Sequence, residues 1–493
     1  MANAVPGVRY PSFVRQDYRR FQLKVRRCLD ALAQMIDDFD DGQPMTGLEV
    51  EINLIDRAGE PAMRNARLLE LIGNPVFQAE LGLFNLEANI PPRLIADDGF
   101  ARYEEFLRGR LNMAQARAAT IDTGLVLIGI LPTITPAHTV LDNISANPRY
   151  HALNRQILAA RGDDVSIDIR GAEEVRMQTE SILPEAANTS VQFHLQVTPR
   201  TFANYWNASQ AIAGVQVALG ANSPFLFGRR LWHETRVALF EQTTDSRPAE
   251  LRNQAVRPRV WFGERWITSI FDLFEENVRY FPTLLPYCDD EDPEAVIAAG
   301  GVPRLSELRM HNGTVYRWNR PIYDIGPTGG PHLRVENRVL SAGPTVVDML
   351  ANAAFYFGLV RWFAESDRPV WNQMPYRAAE RNFYVACQEG LDAPVVWPHD
   401  GETRVSDLVL KRLLPGAAEG LDRFGVQPAI RDRLLGIIEQ RCATGRNGAI
   451  WQIRTVRRLE ERGYDRTTAL REMLLRYVEL MHSNEPVHTW PMR

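Results

Sequence analysis

Lysine is almost missing from this chain. Of its 56 basic Lys and Arg residues only Lys24 and Lys411 are lysines. Without a GxxxxGK[ST] segment there is no P-loop to cradle a nucleotide. Lys24 lies in a helical pattern and Lys411 follows an apolar LVL run, so neither is placed as a Schiff-base lysine. HExxH, GxSxG and a GxGxxG following a strand are also absent. The four cysteines, Cys28, Cys288, Cys387 and Cys442, lie far apart and form no CxxC, which argues against zinc ribbons and thioredoxin-like chemistry and for reduced thiols. The longest apolar run, Gly124 to Leu131, stops at Pro132 and is too short to span a bilayer. The first residues, MANAVPGVRYPSFVRQ, hold no apolar signal core, so a cytoplasmic location is expected. A net charge of -5 lacks the basic excess of a general nucleic-acid binder. Phosphate chemistry here has to rest on arginine and metal.

What the chain does contain is strand alternation. Helical spacing marks residues 16–38, 99–121, 147–161, 199–221 and 345–365. Strands are expected at TGLEVEINLID, LFNLEANI, GLVLIGIL, 164–170, TSVQFHLQV and HLRVENRVL. Residues 222–331 are rich in Arg, Trp and Pro and too long for a simple loop, so short helices and site segments are expected there. Residues after 365 read as mostly helical, ending in a disordered-looking HSNEPVHTWPMR. The organisation expected is a helical segment over 1–45, a catalytic domain over 46–395 and a helical extension over 396–493.

Four of the strands share a pattern. Side chains alternate faces every two residues. Leu48, Val50, Ile52 and Leu54 therefore oppose Glu49, Glu51 and Asn53, and Phe84, Leu86 and Ala88 oppose Asn85, Glu87 and Asn89. Val191, Phe193, Leu195 and Val197 oppose Gln192, His194 and Gln196, while Leu333, Val335 and Val339 oppose His332, Arg334, Glu336 and Arg338. A sheet with one wet face also alternates. A wet face, however, would mix in threonine and lysine, and these carry Glu, Gln, His and Arg. Carboxylates about 5 Å apart repel by roughly 3 kcal/mol at an effective dielectric near 20, so several cluster only with countercharge. Mg²⁺, which takes oxygen ligands and shares them with phosphates, suits that face. Arg334 and Arg338 suit phosphate or carboxylate through the guanidinium fork.

GLEVEINLID, the pair Glu80 and Glu87 in AELGLFNLEANIPP, SVQFHLQV, ALGANSPFLFGRR, LRVENRVLSAGPTVVDMLANAAF and NFYVACQEGLDAPV together resemble the type 2 glutamate–cysteine ligase family. Its members are also called carboxylate–amine ligases and lie within the glutamine synthetase-like superfamily; the resemblance runs from about residue 46 to 395. It implies an α+β fold with a curved, mainly antiparallel sheet and helices on its outer face. It also implies metal ligation by Glu49, Glu51, Glu80, Glu87, His194 and Glu336, and Arg338 at the transferred phosphate. Arg334, Arg338, Arg236 and Gln192 are the candidate nucleotide contacts. The implied cofactors are Mg²⁺, or alternatively Mn²⁺, with ATP as co-substrate. The implied partners are glutamate or a similar acid, cysteine or another amine, and a second copy of the chain, with no nucleic acid and no membrane. Two alternatives stay open: a guanidino-kinase-like phosphotransferase and a non-catalytic metabolite-binding protein. Arg229, Arg230 and Arg236 could bind substrate or pair with Glu234 or Glu241. HNGTVYRWNRPIYD could wall a pocket or be a structural loop.

Overall fold

The computed structural model describes residues 13–36, 39, 44–326 and 329–492; the expected helix end at 37 and 38 and part of the Gly-rich IGPTGGP lie outside them. Seven strands form one sheet: β1 (Thr46–Ile55), β2 (Phe77–Ala79), β3 (Asn85–Arg93), β4 (Gly124–Val126), β5 (Ser190–Val197), β6 (Asn319–Ile325) and β7 (Pro331–Ser341). Their order is β6-β7-β5-β1-β3-β2, with β4 paired to the end of β1. Every pairing in it is antiparallel, and the sheet curls into a half-barrel.

The alternation decides which way the sheet faces. Leu48, Val50, Ile52 and Leu54 are all at most 2% exposed, and they point with Phe193, Leu195, Leu333 and Val335 into the core. Against that dry face lie α2 (Phe202–Gly220) and α4 (Val346–Ala364). Both are buried almost along their whole length, which explains why they are apolar on every side. Of the described residues only α4 is long and apolar enough to cross a membrane, and 89% of that stretch is buried inside the protein. The inner, polar face is roofed from the other side by α3 (Ser306–Asn312), on which α1 (Arg15–Met35) packs.

Two expectations change. Only Gly124–Val126 of the run to Leu131 is strand; beyond it the chain is apolar because it is buried, and the Ile128 carbonyl accepts hydrogen bonds from Asn53 and Thr189. The expected strand at Val165–Arg170 is present and pairs with Glu174–Thr179 as a separate hairpin. The C-terminal residues to 492 are ordered: Trp490 is buried, its ring set edge-on against Trp451 and Tyr477 at 5.2 and 5.1 Å, and the Val487 N–H donates to Asp348.

Candidate active site

Register brings the polar residues into rows. On one row Arg320 of β6 faces Glu336 of β7, which faces His194 of β5, which faces Gly47 of β1. Glycine suits that last position, because a Cβ there would lie 3.3 Å from the His194 Cβ. The next row sets Gln192 opposite Glu49 and Asn89, and the third sets Glu51 opposite Glu87 and, beyond it, Gln78. In β7 the register slips between Asn337 and Leu340, where Arg338 and Val339 stand against Gln192 alone on β5. This bulge keeps Glu336 and Arg338 in the site while Val339 and Leu340 both turn into the core.

Two groups of three donors result. Glu49, His194 and Glu336 each bring a ligand atom within 4.8 Å of the others, and Glu51, Glu80 and Glu87 do the same. Glu80 reaches the second group not from a strand face but from the turn after β2, where its carboxylate accepts the Leu81 N–H.

The two groups sit in different fields. In the first, Arg320 grips Glu336 with two bonds of 2.6 and 3.0 Å, and Arg338 adds a third at 3.3 Å. His194 Nε2 lies 3.0 Å from Glu49. Arg334 donates to His194 Nδ1 at 3.1 Å. Burial raises the carboxyls of Glu49 and Glu336, but His194 pulls Glu49 net below its usual value, and Arg320 and Arg338 hold Glu336 well below the carboxylate range. Arg338 also donates to Gln192, whose amide donates to Glu51 at 3.0 Å. Burial opposes the charge of Arg338, and Glu336, Glu51 and Glu49 more than restore it.

The second group has no such partners. Glu51 accepts the Ser190 N–H at 2.6 Å, and Glu87 accepts from Asn89 at 2.6 Å, both neutral donors. Burial, then Glu51 and Glu185, pushes Glu80 up to about 8. Burial and Glu80 raise Glu87 well above its usual value, and burial raises Glu51.

Cavities flank the two groups. One of about 780 Å³ opens beside Glu49, His194 and Arg334, bordered also by Met45, Pro91, Ile325 and Pro331. A second, about 450 Å³, shares Glu49, Asp324 and Arg334 with it and is lined by Arg149, Arg309 and Arg320. A small cavity of about 20 Å³ lies at the opposite end, among Glu51, Glu185, Arg236, Arg317 and Arg338.

The residues expected at the site fare differently. Glu49, Glu51, Glu80, Glu87, His194, Glu336, Arg334, Arg338 and Gln192 are all brought together. Arg236 borders the small cavity but is mostly committed, to Glu234 at 2.9 Å and the Val339 carbonyl at 2.7 Å. Arg229 pairs with Glu173 at the surface. HNGTVYRWNRPIYD is not a loop: it supplies the edge strand β6 and with it Arg320. Sequence reasoning missed Glu185, on the 3₁₀ turn Leu183–Ala187, and Arg149 at the start of the helix Pro148–Arg161. Neither lies on an alternating strand; the one available signal was an acid five residues ahead of β5.

Residues 45–464 match the profile of glutamate-cysteine ligase family 2. The chain belongs to this family. The family-2 match extends past residue 395, into the C-terminal helices. No curated protein matches the chain in sequence. Among solved structures, the glutamate–cysteine ligase of Francisella tularensis in complex with AMP is similar with a TM-score of 0.53 at 11% identity, covering 92% of this chain and 91% of that one. A bifunctional glutathione synthetase from Pasteurella multocida is similar with a TM-score of 0.51 at 13% identity, covering 93% of this chain and 55% of that one. This chain thus spans about half the length of the latter. At these identities the two structures show the fold.

Proposed function

We propose that this family-2 protein is an ATP-dependent carboxylate–amine ligase that joins glutamate, through its side-chain carboxylate, to the amine of cysteine. One observation carries the reading: six metal-type donors converge on one face of the sheet, beside a run of arginines that includes Arg320, Arg334 and Arg338.

The donor set fits hard divalent ions. Glu51, Glu80 and Glu87 offer three carboxylate oxygens in an acid-rich field that lacks a directly bonded cation, which suits Mg²⁺ or Mn²⁺. Glu49, His194 and Glu336 would hold a second ion, with His194 supplying a ring nitrogen. Bound there, such ions supply charge neutralisation across the phosphates of ATP. The protein's own part is positioning. The cavity beside Pro91 and Pro331 has the size and walls for a nucleoside base. Arg334, at its mouth, would hold a phosphate, and Arg338 with Gln192 would face the phosphoryl group in transfer. The glutamate carboxylate attacks that group, ADP leaves, and the resulting acyl phosphate is the species the amine consumes. Phosphoryl transfer needs placement and electrostatics rather than a protein nucleophile.

The test is ATP consumption with Mg²⁺ over pairs of acids and amines, read by product mass. ADP, phosphate and an amide are expected with glutamate and cysteine. A phosphorylated guanidine would establish the phosphotransferase alternative instead, and no turnover with glutamate and any amine would remove the ligase reading.

A further inference from the structure

The roof helix α3 borders two cavities. Leu308, Arg309 and Asn312 line the arginine-rich one on the sheet side. His311, on the same helix, lines a separate cavity of about 350 Å³. Its other walls come from α1 and from the helix Phe271–Tyr280 with the segment that follows it. Two charged groups line it, Arg26 and Arg279, and among the described residues no carboxylate does. Arg279 has an exposed partner, Glu275, at 3.4 Å. Arg26 makes no hydrogen bond or ion pair among the described residues. Buried Val25 and Phe281 give the cavity an apolar side. Guanidinium groups at an acid-free wall call for an oxyanion, and the apolar side calls for a carbon body on it. The volume is at the lower end of the range for small-molecule sites.

We infer that this cavity is an effector site for a small organic oxyanion, a carboxylate or phosphate on a compact apolar body, and that α3 carries its occupancy to the sheet face. The connection is a continuous set of hydrogen bonds. His311 is anchored from the inner side: its Nε2 bonds the Asn277 carbonyl at 2.8 Å, and its Nδ1 has no partner. The Asn277 side chain donates to Asn312 at 2.9 Å and accepts from Arg317 at 3.0 Å. Asn312 donates to the Pro321 carbonyl at 2.7 Å, on β6 beside the Arg320 that grips Glu336. Arg317 borders the small cavity that holds Arg338. A ligand that shifts or fixes the His311 ring therefore acts on the two arginines nearest Glu336 through groups already bonded in series. Coupling of this kind is reciprocal, so a filled sheet face would also alter affinity at the outer cavity.

The test uses the full-length protein with phenyl phosphate and benzoate as probes and benzyl alcohol as the uncharged control. Calorimetry is expected to show saturable binding of at least one oxyanion with a Kd of about 1 mM or tighter, and none of the alcohol. The tighter of the two anions tells phosphate from carboxylate. Arg26 is exposed and unbonded, so Arg26→Glu should fold normally and weaken binding by about tenfold or more. Amide hydrogen exchange then reads the transmission. The bound probe should slow exchange by about threefold or more in Ser306–Asn312 and in Asn319–Ile325, and should do neither in Arg26→Glu. Absence of oxyanion binding overturns the inference. So does an affinity that Arg26→Glu leaves unchanged, because the probe would then sit on the arginines of the sheet face. Protection confined to residues 271–283 would remove the effector role. None of these readouts uses turnover, so a failed ligase assay leaves this inference standing, and its failure leaves the ligase reading untouched.

Discussion

Two donor triads share one sheet face, yet one is at rest and the other is not. Around Glu49, His194 and Glu336 the protein has supplied its own cations, and both carboxyls stay ionised with ease. Around Glu51, Glu80 and Glu87 the directly bonded partners are neutral, and burial plus mutual repulsion drive the carboxyls toward protonation. The first triad is a structural ion network that can lend its ligands; the second is a set of charges that only an added cation relieves. Arg338 bridges them, through Glu336 on one side and through Gln192 to Glu51 on the other.

The sharpest way to break that picture is at the bridge. Arg338→Lys keeps a charge but loses the planar fork that spans Glu336 and Gln192. A fall in kcat of roughly 10³-fold or more is expected, in line with arginines that act on transferring phosphoryl groups. A variant within tenfold of wild type would place Arg338 in the ion network alone.

The triads should next separate by the sign of a stability change. Glu336→Gln leaves Arg320 and Arg338 buried without their anion, and a loss of about 3–5 kcal/mol is expected. Glu87→Gln removes one of three crowded carboxylates, and a gain of about 1 kcal/mol is expected in chelator. Denaturant melts of both variants without divalent ions read the two signs. Destabilisation by both would mean that the second triad carries no excess repulsion.

The sheet was legible because its chemistry is periodic. Alternation alone places Glu49, Glu51, Glu87, Gln192, His194, Arg334 and Glu336 on one face, and the antiparallel order then brings them together. Arg338 fits the same alternation although a bulge follows it. What alternation does not carry stayed hidden. Glu185 sits on a single 3₁₀ turn. Asn337 lies on the dry face, where it is bonded to Asn319 and Gln216 in a buried amide ladder. The run Gly124–Leu131 misled because a fully buried segment is apolar whether or not it is strand. The last residues look disordered by composition, yet Trp490 pins them against Trp451 and Tyr477. Arg236 was recognisable as a candidate, but its pairing with Glu234 depends on a helix start, with Glu234 as the residue before the helix Thr235–Thr243 and Arg236 within its first turn.

The triads also answer pH in opposite directions. Glu80 and Glu185 are pushed up to about 8 from an ordinary 4.5, so between those values the folded protein binds protons that the unfolded chain releases. Stability from this source is full below about pH 4.5 and is lost as pH rises through 8. Glu49 and Glu336, with lowered values, contribute stability above pH 4.5 that is lost only on strong acidification. In chelator the melting midpoint should therefore fall between about pH 5 and pH 8, by an equivalent of about 3 kcal/mol once the coupling among the acids is discounted. A midpoint that rises across this window would place the acids in a solvated, unstrained setting.

Divalent metal should reverse that fall. An ion that binds the folded state alone stabilises it by about 2.7 kcal/mol at a hundredfold excess over its Kd. Because the ligands must be ionised, the gain should be larger at pH 8 than at pH 5. The comparison of triads makes the expectation specific. Glu87→Gln should lose most of the Mg²⁺-dependent rise in midpoint while its metal-free midpoint holds or increases, because the second triad gains most from an ion. Arg320→Ala frees Glu336 from its tightest partner and should leave the Mg²⁺ response intact or enlarged, whatever it costs the metal-free fold. If instead Arg320→Ala abolished the response and Glu87→Gln kept it, the arginine-rich triad would be the one that takes the stabilising ion, and the charge imbalance around Glu80 and Glu87 would have to be met by substrate.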